Sequence, residues 1–145
     1  MDFYHLEDFL AQINQMLNKK IKNFIKEECL KNSSEESCGF IVFKDDFVCV
    51  PCKNISSDPT NFFKISSLDF LKTKYLYNEI HYIYHSHISE NCEFSELDKK
   101  CSDFLMIPII LYNIQKNIFK LYSSTNLKNF NIEKDFACNY LEVKI

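Results

Sequence analysis

The apolar residues of this chain change their spacing near residue 30, and that change constrains the fold more than any other feature. Leu6, Phe9, Leu10, Ile13, Leu17, Ile21, Phe24 and Ile25 recur at three- and four-residue steps, with Lys, Asn and Gln between them. That period predicts one long amphipathic helix over residues 6–30, ended by the polar stretch KNSSEES. Beyond it the runs are short and rich in β-branched and aromatic residues. CGFIVF and DFVCVP, joined by the charged turn KDD, read as a β-hairpin, and NFFKI reads as a further strand. Ser66 or Ser67 can cap a short helix over LDFLKTKYLY, because a serine oxygen accepts a free first-turn amide. EIHYIYHSH has the content of a buried strand, and Ser95 is placed to cap a helix over ELDKKCSDFL. IPIILYN and NIFKLYS read as two closing strands around the turn IQK. Helices interspersed with strands in this order predict an α+β fold, an α/β sandwich built on a mixed sheet.

A chain of 145 residues with no internal repeat or linker is expected to form a single domain. The net charge is −3 and no Lys/Arg-rich patch is interleaved with aromatics, so nucleic-acid binding is not expected. The first residues, MDFYHLEDFL, lack the basic region of a signal peptide, and no apolar run reaches membrane-spanning length. Seven cysteines at irregular spacing, an odd number, fit free thiols in a reducing, cytoplasmic compartment. Cys49 and Cys52 form a C-x-x-C, but it sits where a strand meets a turn and has no second half to complete a zinc site. Small buried or half-buried thiols are the expected reading, with a redox pair as the alternative.

His85 and His87 stand one residue apart at the end of the predicted strand. Side chains alternate across a strand, so both histidines point one way and Ser86 the other. Two ligands of one metal need that arrangement. A catalytic zinc takes three protein ligands and leaves a fourth position open, and Asp98 can be the third if the intervening loop folds back. The same residues also fit an ordinary strand end followed by an acidic helix start, with Ser95 first a cap and only second a donor to a reacting oxygen. His5 and His81 stand alone and read as surface or packing residues.

The set His85-x-His87, Ser95, Asp98 matches the H-x-H…S-x-x-D motif of the JAMM (MPN+) zinc metallopeptidases. Upstream, Glu36-Ser37-Cys38-Gly39 resembles the E-x-C-G that opens the first core strand of that family. Gly39 is the sole glycine of the chain, which points to a position where a Cβ would not fit. The segment VPCKNISSDPTNFFKIS resembles the middle of the JAMM domain in phage tail assembly proteins of the lambda K type. The resemblance runs from about residue 34 to residue 112. One departure is Ile88, where the family usually has a proline after the second histidine.

The resemblance implies a zinc-dependent peptidase or isopeptidase with a JAMM/MPN-like mixed sheet. It implies that His85, His87 and Asp98 bind Zn2+, that Glu36 is the general base and acid, and that Ser95 helps hold the oxyanion. Glu35 is the neighbouring alternative to Glu36. The implied substrate is a protein or peptide, either a small ubiquitin-like protein or a tail component, in the cytoplasm or associated with a phage tail. The large insertions of ubiquitin-chain-cleaving relatives are absent. The alternative is a zinc-stabilised binding or scaffold component of a tail whose hydrolytic activity is vestigial.

Overall fold

The computed structural model describes residues 19–123 and the strand Leu141–Lys144. The elements in chain order are α1 (Lys19–Lys31), β1 (Cys38–Lys44), β2 (Asp46–Cys52) and α2 (Ser67–Tyr77). They continue with β3 (Ile80–His87), α3 (Glu96–Leu105), β4 (Ile109–Asn113), β5 (Ile118–Ser123) and β6 (Leu141–Lys144). The strands form one mixed sheet in the order β2-β1-β3-β4-β5-β6. Among the described strands only β3 and β4 run parallel, joined by a crossover through α3, and the other neighbours are antiparallel. This is the expected α+β sandwich. The part of the predicted long helix before residue 19 lies outside the described residues, as do His5 and Cys138.

Strand alternation sorts the core into two faces. Ile41, Tyr82, Tyr84, Ile110, Tyr112 and Leu121 point to one side, where Ile21, Ile25 and Cys29 of α1 cover them. Phe40, Val42, Ile83, Ile109, Leu111 and Tyr122 point to the other side, beneath Phe70 of α2 and Cys101 and Leu105 of α3. The register between β1 and β3 shifts at Ile41/Val42. Burial of aromatic and branched side chains on both faces is the main stabilising contribution here.

Both predicted serine caps are present. Ser66 Oγ accepts from Asp69 N at 3.1 Å at the start of α2. Ser95 Oγ accepts from Asp98 N at 3.0 Å, and Asp98 Oδ2 accepts from Ser95 N at 3.0 Å, completing a capping box. Gly39 carries no left-handed backbone angle, so its role is spatial. A Cβ there would collide with the Val50 carbonyl oxygen and lie 2.7 Å from Cε1 and from the hydroxyl of Tyr84.

The expectation of a strand over NFFKI is wrong, because residues 61–65 form a loop. Asn54 intercepts the backbone groups a ladder would have used. Its Nδ2 donates to the carbonyls of Phe62 (3.0 Å), Pro59 (3.3 Å) and Glu36 (3.0 Å), and its Oδ1 accepts from Ser56 N and Lys64 N. The Lys64 carbonyl accepts from Ile55 N at 2.8 Å. One asparagine thereby closes residues 54–64 into a self-contained loop beside the sheet.

Candidate metal centre

The end of β3 and the start of β1 lie side by side. Cys38 is level with His85, and continuing that antiparallel register two residues brings Glu36 level with His87. Ser37 N donates to Ser86 Oγ at 2.8 Å, and Ser86 N donates to the Ser37 carbonyl at 2.9 Å. Glu36 N donates to the Pro59 carbonyl at 2.7 Å. Glu36 is therefore fixed from both directions, by β3 and by the asparagine-closed loop. His85 and His87 point to the face that carries α2 and α3, as alternation requires, while Ser86 points toward α1.

Four titratable side chains meet there. Glu36, His85 and His87 are all buried, and each offers one ligand atom within 4.8 Å of the others. Asp98 brings Oδ2 to 3.0 Å from His85 Nε2 and 3.8 Å from His87 Nε2. The crossover from β3 to β4 carries Asp98 back, because the capping box holds its carboxylate in the first turn of α3. Glu36, His85 and His87 together can hold a metal ion, and Asp98 stands beside them. Metal-binding histidines characteristically direct their second nitrogen to a carbonyl or carboxylate. Here His85 Nδ1 lies 3.1 Å from the Ile110 carbonyl, and His87 Nδ1 lies 2.9 Å from the Asn91 carbonyl. A carbonyl only accepts, so each Nδ1 carries the hydrogen and each Nε2 faces the cluster with its lone pair or a second proton.

Burial and charge act differently on each group. Burial pushes the Glu36 carboxyl up to about 7, with the Asp98 and Asp58 carboxylates adding and the two histidines opposing. Burial also resists ionisation of Asp98, but His85, His87 and the Ser95 amide outweigh it and hold Asp98 well below the usual carboxylate range. Burial disfavours charge on His87, yet the Asp98 carboxylate, the Asn91 carbonyl and Glu36 together raise its pKa. Phe63 stacks on His85 with ring centroids 4.8 Å apart, closing one side of the cluster.

The sequence alone did not reveal Asn113 or the role of Asn54. Asn113 is fully buried at the end of β4, and its Nδ2 donates to the carbonyls of Ser89 (2.9 Å) and Asn91 (2.8 Å). Its Oδ1 accepts from Lys116 N at 2.9 Å. Asn113 thus holds the same Asn91 carbonyl that orients His87. Gln115 Nε2 donates to the Ile88 carbonyl at 2.9 Å, and Ile114 N donates to the His87 carbonyl at 3.1 Å. The loop after His87 is thus pinned by groups from the end of β4 and the turn that follows it.

Glu35 is only partly buried, whereas Glu36 is in the cluster. Ser95 Oγ accepts from Asp98 N, which leaves its hydroxyl hydrogen to donate elsewhere. Cys49 and Cys52 are free thiols three residues apart on β2, so they point to opposite faces. Burial pushes both up to about 12, which disfavours the thiolate form. His81 packs against Phe43 and Phe47. Among the described residues no helix is long and apolar enough to cross a membrane.

No protein-family model and no curated protein matches the chain. Solved structures do. The solution structure of protein DSY2949 from Desulfitobacterium hafniense aligns with a TM-score of 0.61 at 18% identity, covering 73% of this chain and 81% of that one. Likeness at this identity speaks to the fold alone.

Proposed function

We propose that this chain is a zinc-dependent peptidase or isopeptidase of the JAMM type. The observation that carries the reading is the buried convergence of Glu36, His85, His87 and Asp98, with both imidazoles oriented by backbone carbonyls. Donor atoms around a tetrahedral zinc stand about 3.3 Å apart when each bond is near 2.0 Å. The separations of Asp98 Oδ2 from the two Nε2 atoms, 3.0 and 3.8 Å, bracket that spacing. His85, His87 and Asp98 are assigned as the zinc ligands and Glu36 as the proton carrier.

Zinc bound there would polarise an amide carbonyl and acidify a water. Glu36, poised near neutrality, takes the proton of the attacking water and returns it to the leaving amine. Ser95 donates its hydroxyl hydrogen to the oxyanion that develops on the carbonyl, while Asp98 N keeps its Oγ in place. Phe63 covers one face of the His85 imidazole. The physiological substrate is proposed to be a protein, a tail component or a small ubiquitin-like tag.

The test compares zinc content and hydrolysis of peptide and isopeptide substrates in wild type and Glu36→Gln. The proposal expects zinc in both and cleavage only in wild type, with a loss of at least ~100-fold in the variant. Wild type that holds zinc and cleaves no amide would instead identify a zinc-stabilised binding component.

A further inference from the structure

A groove of about 650 Å3 opens beside the cluster, between residues 55–65 and α3. Phe40 and Ile83 rise into it from the sheet, Phe70 comes from α2, and Phe63, Leu97 and Leu105 form its sides. Asp98 and Cys101 also line it. Asp98 therefore belongs to both the cluster and the groove, and whatever fills the groove lies one side chain away from the two histidines. The mouth is apolar as well, since Ile55, Phe62 and Leu97 are 43%, 46% and 58% exposed. Exposed apolar residues gathered along one concave surface mark a binding site rather than scattered surface hydrophobes. Ser57 and Lys64, both exposed, supply polar groups at the edge of the kind a peptide main chain requires.

We propose that this groove receives a bulky apolar side chain, aromatic or long aliphatic, adjacent to the scissile amide of a peptide substrate. The inference rests on the peptidase reading above and gives it a substrate class. A tail ending in small residues such as glycine leaves the walls formed by Phe40, Phe63, Phe70 and Leu105 in contact with water. A phenylalanine or leucine removes that apolar surface from water, and the gain is roughly 10- to 100-fold in affinity over glycine.

Binding is measured on zinc-loaded Glu36→Gln protein, so that cleavage does not interfere. The probes are capped hexapeptides identical except for one central residue, Phe, Leu or Gly, titrated calorimetrically. Phe and Leu peptides should bind at least about tenfold tighter than the Gly peptide. Leu97→Glu, a change at an exposed rim position, should remove that preference while zinc content stays unchanged. Cys101→Trp, which fills the groove, should do the same. Equal binding of Phe and Gly peptides, or a preference that survives both substitutions, overturns the proposal. So does a Leu97→Glu variant that changes sedimentation mass without changing peptide preference, because the groove would then be covered by a second copy. The two readings fail separately. Wild type that cleaves Gly and Phe peptides equally well removes the apolar groove and keeps the peptidase. Wild type that binds Phe peptides selectively and cleaves none removes the peptidase and keeps the groove as a peptide site.

Discussion

Replacing Asn113 by alanine tests whether the proposed metal centre depends on a side chain that bonds to none of its proposed ligands. The side chain is 0% exposed and makes three hydrogen bonds, two donated to the carbonyls of Ser89 and Asn91 and one accepted from Lys116 N. Each such bond contributes on the order of 1 kcal/mol, and the groups left behind are buried without partners. The cost to folding is therefore about 2–4 kcal/mol. Urea denaturation of metal-free protein reads this as a lower midpoint at unchanged slope. The second consequence is specific to the site. The Asn91 carbonyl loses one of its two donors, so the acceptor that orients His87 Nδ1 at 2.9 Å is free to move. Loss of such outer support typically weakens metal binding by about 10- to 100-fold, measurable by competition with a chromogenic chelator. Gln115→Ala is the control, since it removes one bond to the Ile88 carbonyl at an exposed residue. It should change stability by less than about 1 kcal/mol and leave metal affinity within about threefold. An Asn113→Ala protein that loses stability but binds metal as tightly as wild type would refute the argument that Asn113 acts on the site through Asn91.

Two other perturbations have signs fixed by the structure. Gly39→Ala drives a methyl group against a backbone carbonyl and the fully buried Tyr84, neither of which can yield, and should cost about 3 kcal/mol or prevent folding; a loss below about 1 kcal/mol in denaturant melts would contradict the close approach. Glu36 has its folded pKa raised from 4.5 to about 7, so its contribution is fully present at low pH and is lost as pH rises through that window. Metal-free Glu36→Gln should thus gain stability relative to wild type between pH 5 and pH 8, by at most about 3 kcal/mol, and denaturation at both pH values measures it. A constant difference between the two proteins across that range would show that Glu36 is not held in a desolvated setting.

Much of the fold was legible because it rests on local chemistry. The β-branched and aromatic runs of β3, β4 and β5 and the serine oxygens of Ser66 and Ser95 each determine a local outcome that tertiary packing then preserves. The histidine pair was legible for the same reason, since strand geometry alone puts both rings on one face. Gly39 stood out because the chain uses no other glycine, and its neighbours explain why. NFFKI has strand composition but lost its ladder to one asparagine seven or more residues upstream, a competition that residue preferences do not record. Asn113 was equally hidden. It sits at the end of an apolar run, and its bonds reach back 22 and 24 residues to a loop whose path the sequence does not dictate locally. The groove belongs to the same class, because residues from the sheet, α2, α3 and the loop meet there only in the folded chain.

Whether Glu36, His85, His87 and Asp98 form one metal centre is decided by calorimetric titration of zinc into metal-free protein. The expected result is one zinc per chain, released protons, and a loss of at least about tenfold in affinity for His85→Ala, His87→Ala and Asp98→Ala taken singly. Folded protein that takes up no zinc, or binds it equally well without both histidines, would contradict it.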